Sequence, residues 1–167
     1  MKVRNSGGRS AGLSLIELLI VVAVLMTLMA LAIPRMLQAR MLANEASAVA
    51  SLRTIATVQV TYDSTYQRGY APGLPALGPP SGGGAASASG AGLIDNVLSM
   101  GAKSGYIFLY TAIDANSDGK PEAFTINANP TTPGASGMKY FYVDQSNVIR
   151  FSITGPANSS SSPVPQN

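Results

Sequence analysis

The side chains that most often carry catalysis are missing from this sequence. Its 167 residues include no histidine and no cysteine, which excludes Ser-His-Asp and Cys-His catalysis, a disulfide framework and a thiolate zinc site. Carboxylates remain as candidate acids or nucleophiles, but their spacing forms no pattern typical of a catalytic pair. The carboxylates considered are Asp95, Asp114, Asp118, Glu122 and Asp144. The sequence therefore predicts a protein that is not an enzyme and has no catalytic residue.

One acidic run has the spacing of a metal site. Residues 114–119 read DANSDG, the first half of a calcium-loop signature, D-x-[DN]-x-[DN]-G, in which carboxylate and amide oxygens are the ligands. The full signature needs an acid six residues after the glycine, where Thr125 stands, and Glu122 is at a different spacing. Asp, Asn and Gly are also the residues that favour a hairpin turn. We predict a turn with no metal and no cofactor, and calcium is the alternative.

A single carboxylate, Glu17, lies inside a long apolar run. Residues 13–33 read LSLIELLIVVAVLMTLMALAI, and a helix of that length spans about 31 Å, close to the hydrocarbon thickness of a bilayer. A plain membrane anchor is one interpretation. A cleaved secretory signal is another, with Ala30-Leu31-Ala32 as its small-x-small site. Neither has a use for Glu17, because an intramembrane carboxylate is costly and is functional by default.

The positive charge of the chain belongs to its first residues. The formal net charge is +3, and Lys2, Arg4 and Arg9 lie in residues 1–12, so the remainder is neutral. No clustered run of Lys and Arg indicates nucleic-acid binding. By the positive-inside rule these residues predict a cytoplasmic N-terminus.

The start of the chain resembles the cleavage and methylation signal of type IV pilins and of type II secretion pseudopilins. The resemblance rests on the basic leader ending at Gly12, on Glu17 five residues further on, and on Pro34 later in the same predicted helix. It covers about 22 residues. Leu13 stands where Phe is most common in the family, and Ser14 stands where Thr is.

The resemblance implies a function for each of these positions. A prepilin peptidase would cleave after Gly12 and methylate Leu13, and Glu17 would pair with an N-terminal amine during assembly. Pro34 would kink the helix or simply end it. The partners implied are identical or related pilin subunits, the peptidase and the inner-membrane assembly machinery. The chain would then be a structural subunit of a type IV pilus or a secretion pseudopilus, first anchored in the inner membrane with a periplasmic head. The alternative is a membrane-anchored or secreted binding domain that forms no filament.

The elements that must position these residues follow from composition and periodicity. Residues 35–67 contain no Gly or Pro, and their apolar residues recur at helical spacing; this stripe is Leu42, Ala46, Val49, Leu52, Ala56 and Val60. Residues 106–113 with 122–128, and 138–143 with 148–153, form two predicted hairpins and hence a four-stranded antiparallel sheet. The expected fold is α+β and pilin-like, a long N-terminal membrane-spanning helix packed on a small sheet. The expected segments are a basic leader at 1–12, a transmembrane or filament-core helix at 13–33, its amphipathic continuation at 34–68, a flexible Gly/Pro/Ser-rich loop at 69–92 tethered by Leu74 and Leu77, an antiparallel head at 93–154 and a disordered tail at 155–167.

Overall fold

A computed structural model describes residues 14–165, with only the backbone of Leu31. It divides the chain into two compact units, Met1–Gln38 and Ala39–Asn167. Gly12 and Leu13, the predicted processing site, lie outside the described residues.

Helix α1 runs from Leu15 to Tyr66. Its sequence has no glycine, and its one proline, Pro34, does not end it. The helix stops where the backbone turns left-handed, at Gln67 (φ 51°) and Gly69 (φ 70°). The Asp63 carboxylate accepts a hydrogen bond from the Gly69 backbone N–H at 2.9 Å, which holds that reversal in place. The helix-stop interpretation of Pro34 is therefore wrong, and the kink stays a prediction.

Six antiparallel strands form one sheet in the described part of the chain, and each strand pairs with the one before it. They are β1 (Ala102–Lys103), β2 (Tyr106–Ile113), β3 (Ala123–Pro130), β4 (Tyr140–Asp144), β5 (Arg150–Ser152) and β6 (Ser162–Pro163). The α+β class and the two hairpins, β2–β3 and β4–β5, are confirmed. The sheet has two more strands than predicted, because β1 and β6 are two residues each and too short for an alternating pattern to reveal.

The segment predicted as a flexible loop, 69–92, is partly built into the core. Helix α2 (Leu74–Leu77) buries Leu74 and Leu77, as predicted for these two residues. Backbone hydrogen bonds then pair the loop's two arms, with Ala91 N–H donating to Ala76 C=O at 2.9 Å. Only the glycine-rich stretch around the 3-10 turn Ser81–Gly83 is exposed throughout. Buried apolar residues and backbone hydrogen bonds thus hold a segment whose composition is typical of a linker.

The tail was predicted to be disordered, and for residues 155–165 this is wrong. Strand β6 pairs with β5, and the Val164 N–H donates to the Ile149 C=O at 2.8 Å. The Asn127 amide donates to the Ala157 C=O at 2.7 Å. These partners come from distant parts of the chain, so the Ser- and Pro-rich composition of the tail could not reveal them.

The core lies between the C-terminal half of α1 and one face of the sheet. The helix presents Ala48, Leu52 and Ile55 to Tyr106, Phe124 and other sheet residues, all of them buried. The predicted stripe identifies this face only in part. Leu52 and Ala56 are buried, whereas Leu42 and Val60 are exposed. The stripe is therefore displaced around the helix from the face that the core uses.

A four-residue helix completes the head. Helix α3 spans Asn96–Ser99, and its N-cap Asp95 accepts a hydrogen bond from the Leu98 N–H. Gly101 follows with φ 79°, the left-handed conformation that favours glycine after a helix.

Candidate functional site

Glu17 lies in the first turn of α1. Ser14 precedes the helix and its carbonyl accepts the first helical hydrogen bond, from the Leu18 N–H at 3.1 Å. The backbone N–H groups at a helix N-terminus carry partial positive charge, which favours a carboxylate there. Glu17 is exposed and makes no ion pair within residues 14–165. It is therefore an acid presented at the start of an apolar helix, free to meet a group from outside the described chain.

The residues on both sides of Glu17 form an almost uniformly apolar surface. By length and composition, α1 contains a segment that could cross a membrane, and none of that window is buried within the structure. Residues 15–33 contain one hydroxyl group, that of Thr27. It donates a hydrogen bond to the Val24 C=O at 2.7 Å, so this polar group is satisfied inside the helix. The exposed large side chains include Leu15, Ile16, Leu18, Leu19, Ile20, Val21, Val24, Met26, Leu28, Met29 and Ile33. This surface needs an apolar environment that the described chain does not supply.

Pro34 follows directly after this apolar segment. Because proline has no backbone N–H, the carbonyl one turn earlier lacks its helical partner at this position. The helix nevertheless continues on both sides, so the proline is a local weak point within one helix.

The predicted turn at residues 114–119 is present between β2 and β3, and it brings three carboxylates together. Carboxylate oxygens of Asp114, Asp118 and Glu122 lie within 4.8 Å of one another. The calcium-loop signature does not include Glu122, because its spacing from Gly119 is different. Glu122 lies directly before strand β3, which begins at Ala123, and the hairpin brings its carboxylate close to those of Asp114 and Asp118. These three, with the Asn116 amide oxygen, are the residues that could hold a divalent cation.

The same oxygens already have backbone partners. The Asp114 carboxylate accepts from Asp118 N–H at 3.2 Å and from Gly119 N–H at 2.8 Å. Glu122 accepts from Ala115 N–H at 3.0 Å, and Asp118 accepts from Lys120 N–H at 2.8 Å. The turn is thus held by its own hydrogen bonds, which agrees with the turn interpretation.

The other carboxylates considered as catalytic candidates have structural partners. Asp95 caps α3 and pairs with Lys103 at 2.7 Å, and hydrogen bonds from Lys103 and Leu98 lower its pKa. Burial raises the pKa of Asp144, but hydrogen bonds from Ser146 and Tyr142 outweigh this effect and the pKa lies below its usual value. Each carboxylate stabilises a turn or a helix end.

Sequence reasoning missed two buried polar residues on α1. Glu45 accepts hydrogen bonds from the N–H groups of Met138 and Lys139 at 2.9 and 3.2 Å, and it pairs with the Lys139 ammonium at 3.0 Å. Gln59 donates to the Tyr110 hydroxyl at 2.8 Å and accepts from the Ala71 N–H at 2.8 Å. Their spacing of 14 residues, close to four helical turns, puts both on one face. The shared face could have indicated from the sequence that both residues are buried. Their polar side chains instead suggested that they are exposed.

Comparisons with known proteins add no relative. The sequence matches no protein-family model, and no curated protein or solved structure is significantly similar to it.

Proposed function

We propose that this chain is a filament subunit of the pilin or pseudopilin type, matured by cleavage between Gly12 and Leu13 and polymerised through its N-terminal helix. The observation that carries the proposal is an exposed apolar segment with one acid in its first turn, joined to a folded α+β head. A simple anchor explains the apolar segment but not the acid.

The mechanism moves an apolar helix from one apolar environment to another. In the bilayer, residues 15–33 are surrounded by lipid, and in a filament they are surrounded by the same segment of other copies. Little solvation energy changes in this transfer, so packing and the partner of Glu17 decide which state is favoured. Cleavage after Gly12 creates an α-amine at Leu13, and the Glu17 carboxylate is its counter-charge within or between copies. A buried ion pair of this kind fixes register more than it adds stability.

The proposed orientation places the N-terminus in the cytoplasm and the head in the periplasm. Three basic residues precede the apolar segment, while Arg35 and Arg40 follow it, so the charge bias favours this orientation by one residue. Whether the assembly is a pilus or a secretion pseudopilus depends on neighbouring genes: a retraction ATPase indicates the first, and a secretin with a secretion ATPase indicates the second.

The mass of the mature N-terminus tests the proposal. The full-length chain is expressed beside its native peptidase, and the purified product is analysed by intact-mass and N-terminal peptide spectrometry. A chain that starts at N-methylated Leu13 supports the filament class. A chain that starts at Ile33, after Ala32, or one that still carries Met1, overturns the proposal and leaves an exported or anchored binding domain.

A further inference from the structure

Strand β2 has an unpaired edge beyond the short strand β1. The two residues of β1 pair with the first two residues of β2, and the Phe108 N–H donates to the Gly101 C=O at 2.7 Å. Alternate residues of an antiparallel strand direct their backbone groups to the same side, so those of Tyr110 and Ala112 point to this edge as well. Within residues 14–165 they have no backbone partner on that side.

The unpaired stretch, Leu109–Ile113, is neutral and has apolar side chains on the face of the sheet away from α1. Leu109 and Ile113 are 55% and 40% exposed, and Thr111 between them is exposed too. A charged side chain or a proline ordinarily protects a long sheet edge against pairing with another chain. The β2 sequence, YIFLYTAI, contains neither. We call the stretch Leu109–Ile113 the open edge.

The open edge is complementary to itself. When two copies pair antiparallel about a two-fold axis at Thr111, Tyr110 of each copy lies opposite Ala112 of the other, so a large side chain meets a small one. Both residues of such a pair exchange their N–H···O=C bonds, which satisfies the outward backbone groups. On the exposed face, Leu109 lies opposite Ile113 of the other copy, and each covers the other.

We propose that two copies of this chain pair through the open edge and form one continuous sheet. Backbone chemistry specifies the kind of occupant, because an extended strand satisfies a row of outward N–H and C=O groups. Its identity as a second copy follows from the register, in which apolar residues meet apolar residues and no like charges face each other.

This contact is different from the one that would extend a filament. A two-fold contact closes on itself after two copies. The axis of an antiparallel pair is perpendicular to the sheet, so the C-terminal halves of α1, which lie on the two sheets, point in opposite directions. Subunits of one filament point the same way. The open edge therefore joins copies that do not share a filament, and the inference goes beyond the proposed function without depending on it.

A single cysteine at position 111 tests the contact, because the natural chain has no cysteine. At the two-fold axis the Cα atoms of the two copies would be about 4.5 Å apart, within the range that a disulfide spans. After mild oxidation of the full-length protein in detergent, we expect Thr111→Cys to form mainly a covalent dimer.

Thr125→Cys is the matched control. Thr125 is the register partner of Thr111 on β3, so it lies on the same face of the sheet, one strand further from the edge. In the paired copies the two Thr125 Cα atoms would be about 14 Å apart, three strand spacings. This distance is too long for a disulfide, and we expect at least about tenfold less dimer.

A substitution gives a second measurement that needs no cysteine. Sedimentation of the wild-type chain in detergent should show a dimer that dissociates on dilution. Thr111→Lys places two like charges directly opposite each other and should weaken this dimer at least about fivefold. Ile153→Lys is the control, since Ile153 is 66% exposed and follows β5, near the other edge of the sheet. Both lysine variants should keep the melting temperature of the wild type.

The outcomes separate the two proposals. A dimer that Thr111→Lys does not weaken, or a Thr111→Cys chain that gives no more covalent dimer than Thr125→Cys, overturns the pairing of copies. If the Thr111→Cys chain instead forms a disulfide only with a synthetic peptide of alternating valine and threonine that carries one cysteine, the pairing is also overturned and the edge binds a strand of another protein. A mature chain that starts at Ile33 or keeps Met1 overturns the proposed function and leaves the open-edge contact standing.

Discussion

Replacing Glu45 should destabilise the head more than any other single change of charge on α1. The Glu45 side chain is 8% exposed and holds the β3–β4 connection through two backbone N–H groups and the Lys139 ammonium. Glu45→Ala removes all three partners and leaves the two N–H groups without an acceptor. The Lys139 ammonium is 40% exposed, so water replaces Glu45 as its partner and the cost comes mainly from the two N–H groups, about 2–4 kcal/mol together. For a unit of this size, about 4 °C of melting temperature corresponds to 1 kcal/mol, so we expect a fall of about 8–16 °C.

Two further variants sharpen this prediction. Glu45→Gln keeps an oxygen that can accept both N–H groups and loses only the ionic attraction, so its melting temperature should fall by about 4–8 °C. Glu17→Gln removes a negative charge from the same helix without touching the head, and it should leave the melting temperature unchanged. All three variants are compared by thermal unfolding of the full chain in detergent. The near-ultraviolet circular dichroism of its seven tyrosines monitors the unfolding. If Glu45→Ala melts within about 4 °C of wild type, the loss is no more than about 1 kcal/mol. The contacts of Glu45 are then not what orders the β3–β4 connection.

Three further predictions concern the other carboxylates. Under the proposed function, Glu17→Ala should abolish filaments while the chain still inserts in the membrane, because the proposed amine at Leu13 loses its counter-charge. Normal filaments by electron microscopy would contradict the role given to Glu17. Millimolar calcium added to chelator-treated protein should leave the melting temperature unchanged. Backbone N–H groups already donate to the carboxylates of the 114–119 turn, and Thr125 stands at the position of the signature's last ligand. A clear rise in melting temperature would show an ion site there. The pKa of Asp95 is lowered from 3.8 in the folded chain, so its contribution to stability is present above about pH 4 and is lost as the pH falls through the lowered value. Asp95→Asn should therefore flatten the acid limb of a melting-temperature profile, and an unchanged profile would show that the Lys103 pair contributes nothing.

The elements that sequence reasoning predicted are those whose signal is local. The hairpin strands Tyr106–Ile113 and Ala123–Pro130 alternate or carry β-prone residues around a turn, and the long helix lacks glycine throughout. These patterns depend on neighbours within a few residues. They could be read without knowing what the elements pack against.

The parts that it missed depend on distant partners. Glu45 and Gln59 are buried because Lys139, Tyr110 and Ala71 lie opposite them, and a polarity pattern assigns such residues to the surface. Strand β6 exists because β5 offers it an edge. For the candidate site, Glu17 was identified by its chemical misfit with its surroundings, whereas the function of Gly12 and Leu13 rests on resemblance, and both lie outside the described residues.

The sequential order of the strands has a consequence for export. In the proposed orientation the head crosses the membrane after the apolar segment, so the C-terminal half of α1 emerges first. Each strand from β2 to β6 then finds a pairing partner already outside, since one of its neighbours in the sheet is the strand before it. Only the two-residue strand β1 waits for a later strand, β2, and this order shortens the time during which an open sheet edge could capture another chain. The head can therefore fold in the order in which it is delivered, with no cysteine to oxidise along the way.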